Sequence, residues 1–212
     1  MTSVAIGIVA HPSRGAMAHE LAERTSAEVL SCDSEGAGEQ ANHQAALEQL
    51  LEYGTEWVVW LEDDAVPCAD LRTRLLETLD AAPDGVVSLY LGTGRWAGTA
   101  PRQHEQVVRG LIEDADRDGS RWITAGSLWH AVGVAIPRDR VADLLRHLRG
   151  STRPTDEAVS DWCRRHRVAV HYTHPSLVDH RDEPRLVQAR ERHVPRRAWR
   201  FEEATSDLRD SV

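Results

Sequence analysis

The run Trp57-Val58-Val59-Trp60-Leu61 is followed directly by Glu62, Asp63 and Asp64. Unbroken apolar character is what a central strand covered on both faces requires, so three carboxylates stand at the exit of a buried strand. Like charges this close repel one another, and a carboxylate taken out of water without a partner carries a large cost. A divalent cation relieves both penalties, because hard oxygen ligands suit Mg2+ or Mn2+. The competing reading is a solvated turn whose acids cap the helix that follows Pro67. Further along, Asp156 opens a short helix and histidines cluster at 171, 174 and 180. A zinc site of His171, His174 and His180 would lack a recognisable ligand spacing.

The elements that must position these residues alternate along the chain. Residues 3–10 and 28–32 read as strands, 15–25 and 39–53 as helices, and 57–61 as the central strand. A helix over 69–82, a strand over 85–91, a strand over 127–137, helices over 137–150 and 155–166, and a strand over 167–172 follow. The stretch 92–121 shows little periodicity, and so long a connection points to a lid or binding loop. This alternation makes the chain α/β with a largely parallel sheet, whose ligands sit outside the carboxyl ends of the strands. Residues 1–183 are expected to form a single catalytic domain. Residues 184–212, rich in arginine and glutamate, form a loosely packed C-terminal tail.

Position in such a sheet nominates more residues. His11 and Arg14 follow the first strand, where Arg14 would reach a diphosphate or base. Asp33 follows the second strand and would accept a hydrogen bond from ribose or base. Arg95, in Gly92-Thr93-Gly94-Arg95-Trp96, opens the long connection and would contact phosphate.

Composition narrows the chemistry. The 212 residues carry 34 acids and 25 basic residues, for a net charge of -9, and none of the basic residues is lysine. Schiff-base chemistry and a phosphate-loop lysine are excluded, and so is a receiver domain with its late lysine. With a pI near 5.6, phosphate neutralisation along a duplex is disfavoured, so nucleic acid is a poor partner. The three cysteines are widely spaced, which argues against a disulfide framework or a cysteine zinc site. No stretch reads as a basic leader or reaches bilayer length. A cytoplasmic location is expected.

The segment Leu61-Glu62-Asp63-Asp64 resembles the acidic metal-binding motif of nucleotide-sugar glycosyltransferases of the GT-A fold, in particular the LEDD form of family 25 lipopolysaccharide glycosyltransferases. The resemblance takes in Asn42-His43-Gln44-Ala45-Ala46-Leu47, where asparagine replaces the family's usual serine, and the segment 130–145. It also takes in Pro154-Thr155-Asp156 and Pro175-Ser176-Leu177-Val178-Asp179-His180, the last similar to a PSLVxH signature of bacterial, phage and branching glycosyltransferases. The following Arg181-Asp182-Glu183-Pro184 departs from the pattern.

The resemblance implies a GT-A-like (Rossmann-like) fold, with a mostly parallel central sheet flanked by helices. It implies that Asp64 and His180 hold a divalent cation (Mn2+ or Mg2+), with Asp63 assisting and Glu62 contacting the nucleotide or orienting the motif. His180 is preferred to His174 as the second ligand. His43 would lie near the donor, and Asp156 would act as the general base. For His43, His180 and Asp156, purely structural roles compete, for Asp156 that of an acid favoured at a helix N-terminus. The implied activity is a hexosyltransferase reaction. It moves a sugar from a nucleotide-diphosphate donor, a UDP-sugar in preference to a GDP-sugar, to a hydroxyl on a glycan, lipid-linked glycan or modified base. The alternatives are a nucleotidyltransferase acting on a sugar phosphate and a catalytically inactive nucleotide-sugar-binding protein.

Overall fold

Strand β1 (Val4–Ala10) is buried at every position and divides its side chains between two cores. Ala5 and Val9 face one core, while Val4, Ile6, Ile8 and Ala10 face the other. Strand β3 (Trp57–Glu62) repeats the division, Val58 and Trp60 against Val59 and Leu61. Each buried Val, Leu or Ile contributes roughly 1.5–3 kcal/mol, so a strand apolar on both faces is held only where helices cover both. The structure, a computed structural model, describes residues 2–93, 101–181 and 196–201, with the side chains of 101–104 left aside.

The remaining elements run α1 (Gly15–Thr25), β2 (Val29–Cys32), α2 (Glu39–Leu51), β4 (Ala65–Pro67), α3 (Leu71–Asp80), β5 (Val86–Ser88) and α4 (Pro101–Asp118). They continue through β6 (Trp122–Ala125), β7 (Gly133–Pro137), α5 (Arg138–Arg149), α6 (Thr155–His166), β8 (Val170–Thr173) and β9 (Val178–His180). The central sheet has the order β2-β1-β3-β7-β5-β8-β6. Strands β2, β1, β3, β5 and β8 run one way, while β7 and β6 run antiparallel to their neighbours. Helices α2, α4, α5 and α6 supply side chains to one core, and α1 and α3 to the other. The α/β class with a mostly parallel sheet flanked by helices is therefore the fold observed. Strands β4 and β9 pair apart from the main sheet as a two-stranded ribbon, Ala65 opposite His180.

Two segments differ from the sequence expectation. The stretch 92–121 is not mainly irregular, because it contains the 18-residue α4. Val108, Ile112 and Ala115 recur at helical spacing and are buried, but dense charge between them masks the stripe in sequence. The stretch 127–137 is not one strand. Leu128 N–H donates to Ser160 Oγ at 2.8 Å and Trp129 N–H to the Tyr172 hydroxyl at 2.7 Å. Side chains thus satisfy that backbone in place of a neighbouring strand, and pairing resumes only at Gly133.

Most of the expected tail, 184–212, lies outside the described residues. Within it, residues 196–201 are docked: Ala198 bridges Gly92 and Phe201 bridges Ser176. No helix among the described residues is long and apolar enough to cross a membrane.

Candidate functional site

Strands β2, β1 and β3 are adjacent and parallel, so their carboxyl ends deliver Asp33, His11 and Glu62–Asp64 to one edge. Antiparallel β7 begins at that edge, with Gly133 opposite Leu61. Helix α2 contributes His43, and the first turn of α6 contributes Asp156. Together they border a cavity of about 500 Å³. His11, Arg14, Asp33, His43, Glu62, Asp63, Asp64 and Asp156 all line it. His180 is not in that wall but packs behind it, its Nε2 lying 3.4 Å from Asp64 Oδ2. Arg95 lies outside the described residues.

The acid pair is closely packed. Asp63 and Asp64 are 6% and 4% exposed, so neither relies on bulk water for neutralisation. Asp63 Oδ2 accepts from the His11 backbone N–H at 2.7 Å, and its Oδ1 accepts from Arg14 Nη1 at 2.9 Å. The same Nη1 donates to Asp64 Oδ2 at 2.6 Å. Burial opposes the Arg14 charge, but the Asp63 hydrogen bond and the two carboxylates outweigh it and raise its pKa. Asp64 Oδ1 is buried without a hydrogen-bond partner, and so are both ring nitrogens of His180. Burial lowers the His180 pKa even against the Asp64 charge, so the ring is neutral and presents a lone pair.

A second group lies on the side of α2 and α6. His43 is 1% exposed and stands edge-on to Trp60 with ring centroids 5.4 Å apart. Its Nδ1 lies 3.0 Å from the Glu39 carbonyl. A carbonyl only accepts, so Nδ1 carries the proton and Nε2 is left as the acceptor. Nε2 is buried without a hydrogen bond, 3.9 Å from Glu62 Oε1. Burial, followed by the charges of Asp64, Glu39, Asp156 and Asp63, raises the Glu62 pKa well above the carboxylate range. Burial lowers that of His43. Burial and the surrounding carboxylates thus disfavour charge on both side chains.

Asp156 Oδ1 accepts from the Glu157 N–H at 2.7 Å, the pattern of an acid in the first turn of a helix. Burial pushes its carboxyl up to about 6, assisted by the charges of Glu39 and Glu157. That value sits near the pH at which a general base works best.

Some nominated residues have structural duties. Asp33 accepts from the backbone N–H of Ala37 at 2.7 Å and of Gly38 at 2.9 Å, closing the loop before α2. His11 Nδ1 accepts from the Ser13 N–H at 3.2 Å and caps the 3-10 turn Pro12–Arg14.

Glu39, Asn42, His130 and Arg196 also line the cavity, and sequence reasoning assigned none of them a role. Glu39 is one turn before His43 on α2, a spacing that could have flagged it. Asn42 explains the departure from the serine of the resembled motif. It is 6% exposed, its Nδ2 donates to the Ala10 and Ser31 carbonyls at 3.0 and 3.2 Å, and its Oδ1 accepts from Ser31 Oγ at 2.6 Å. It ties α2 to the ends of β1 and β2. Asn42→Ala leaves several buried polar groups without partners, and we expect it to lower the unfolding free energy by about 2–4 kcal/mol. Urea denaturation checks this as a lower midpoint at an unchanged slope.

No protein-family model matches the chain, and no curated protein does. Among solved structures the chain is similar to A197 from STIV, at 11% identity over 86% of this chain and 87% of that one, with a TM-score of 0.45. No functional conclusion rests on so slight a likeness. No group of three or more His, Cys, Asp or Glu among the described residues is gathered as a metal cage. Any cation held at Asp64 and His180 would take its other ligands from substrate and water.

Proposed function

We propose that the chain is a glycosyltransferase that uses a divalent cation to move a sugar from a nucleotide-diphosphate donor, a UDP-sugar by preference, to a hydroxyl acceptor. One observation carries this reading. Asp64 Oδ1, in the wall of a cavity of about 500 Å³, and the ring nitrogens of His180, packed behind Asp64, are buried and unpartnered. Buried polar atoms are almost always hydrogen-bonded, so a set of orphans sharing one place fits a ligand. An anionic oxygen and the unprotonated nitrogen of a neutral imidazole accept without donating, which is the lone-pair set a cation requires.

Asp64 and His180 would hold Mn2+ or Mg2+, which when bound neutralises charge developing on the departing diphosphate. The chain's own residues account for the remaining tasks. Arg14 holds Asp63 and Asp64 in register through its shared Nη1. Glu62, at the same wall, hydrogen-bonds a sugar or ribose hydroxyl. His43 Nε2 accepts from a hydroxyl at the same wall. The Asp156 carboxylate accepts the proton of the acceptor hydroxyl.

A thermal-shift panel of UDP- and GDP-sugars with Mn2+ tests the reading directly. Ligand at a hundredfold excess over Kd stabilises by about 2.7 kcal/mol, several degrees for a chain of this size. At least one UDP-sugar is expected to raise the melting temperature in Mn2+, and EDTA to abolish the rise. No shift with any donor would sink the proposal. Release of free nucleoside diphosphate rather than pyrophosphate separates sugar transfer from nucleotidyl transfer.

A further inference from the structure

One wall residue of the cavity, Arg196, begins the segment 196–201, far along the chain from the other wall residues. This hexapeptide is fastened by main-chain hydrogen bonds to the segments that follow β5 and β8. Thr93 N–H donates to the Arg197 carbonyl at 2.6 Å, Trp199 N–H to Leu91 at 2.9 Å, and Ser176 N–H to Arg200 at 2.8 Å. Asp179 acts as a clasp from outside the cavity. Its Oδ1 accepts from Ala198 N–H at 2.6 Å, and its Oδ2 pairs with Arg197 Nη1 at 3.3 Å. Arg109 lies over the Trp199 ring at 4.8 Å, and Phe201 packs on the core beneath α1 and α3.

The docked segment starts with Arg196, which lines the cavity. Arg196 Nε is buried and has no hydrogen-bond partner, and the buried Tyr90 hydroxyl has none either. The Tyr90 ring packs beside that of His180, with centroids 6.1 Å apart. A buried guanidinium nitrogen with nothing to donate to carries a cost that ligand oxygens remove. The planar guanidinium fork matches phosphate geometry, and a chain without lysine has only arginine for this task.

We propose that Arg196, carried into the cavity by the docked segment 196–201, binds a phosphate of the nucleotide-diphosphate donor, and that Asp179 is a positioning residue holding that segment in place. The inference rests on the nucleotide-sugar reading above but concerns different side chains. It also gives the Val178-Asp179-His180 segment two separate duties, with His180 turned to Asp64 and Asp179 to the docked segment.

The test is calorimetric titration at fixed Mn2+ with UDP, GDP, inorganic pyrophosphate and the nucleosides uridine and guanosine. Arg196→Gln is expected to weaken the tighter nucleoside diphosphate by ten- to a hundredfold, the loss of one or two charge-assisted hydrogen bonds. Nucleoside binding should not change, and Arg196→Lys should recover part of the loss. Asp179→Ala should reproduce the Arg196→Gln loss, and the double variant should be no weaker than either single one, as expected of residues acting through one contact. Diphosphate affinity equal in wild type and Arg196→Gln overturns the inference while leaving the nucleotide reading intact. Wild type that binds none of the diphosphates overturns the nucleotide reading, and this inference with it. Arg196→Gln decides the matter even if Asp179→Ala fails to fold.

Discussion

Asp64→Asn should lower metal-dependent turnover, read as kcat/KM, by about a thousandfold, close to 4 kcal/mol of transition-state stabilisation. The amide has the shape of the carboxylate but lacks its charge, and a cation at this wall would keep only the neutral His180 nitrogen. The fold should survive the change. Arg14 Nη1 retains Asp63 Oδ1 at 2.9 Å, and the substitution removes one of two buried like charges that share that guanidinium. We therefore expect a melting temperature within a few degrees of wild type without metal, and Mn2+ that no longer raises it. Mn2+ binding followed by electron paramagnetic resonance gives a readout independent of turnover. Unchanged Mn2+ affinity and unchanged transfer in Asp64→Asn would remove the metal assignment.

How far the site was legible follows from where its signals lie. Glu62–Asp64 could be read because an acidic triplet against an unbroken apolar strand is a local contrast. His180 could be nominated only through the resemblance, since nothing near it in sequence shows that β9 pairs with β4 and sets it opposite Ala65. Position in the sheet nominates Arg14 for a diphosphate or base, yet its guanidinium Nη1 is shared between Asp63 and Asp64. That contact spans about fifty residues and has no local signature. Arg196 was invisible for the same reason: it belongs to an arginine-rich tail segment whose composition suggests solvent. Its docking depends on main-chain hydrogen bonds to Leu91, Thr93 and Ser176, and main-chain pairing leaves little trace in side-chain identity.

The fold was legible where periodicity is undiluted. Helix α1 follows the expected bounds, and β3 is apolar toward both cores as its sequence requires. Helix α4 was lost because a narrow stripe of Val108, Ile112 and Ala115 serves a helix that packs with only part of its surface. The antiparallel course of β7 was lost because strand direction depends on the connection. A side-chain-satisfied segment at 127–131 resembles a strand in composition while pairing with none.

Asp156→Asn tests the opposite end of the reaction. With the acceptor hydroxyl no longer deprotonated, transfer should fall by about 10²–10⁴-fold, the usual contribution of a positioned base. Donor binding should hold within about twofold, since Asp156 opens α6 and the donor diphosphate is assigned to the Asp64 group. The wild-type pH profile should carry the signature of the same residue. A base works as the carboxylate, and the Asp156 carboxyl is pushed up to about 6, so kcat/KM should fall as pH drops through that value. The stability consequence has the opposite sense. A carboxyl raised in the folded state from an unfolded value of about 3.9 contributes its full stability below that value and loses it as pH rises through about 6. At pH 8 wild type therefore holds an ionised group that its surroundings disfavour, and the neutral amide should be the more stable protein, by up to about 2 kcal/mol. At pH 4 the two should converge. A variant inactive in transfer, stabilised at pH 8 and level with wild type at pH 4 would mark a residue kept for chemistry at a cost in stability. Full transfer activity in Asp156→Asn would assign the carboxylate to helix capping alone.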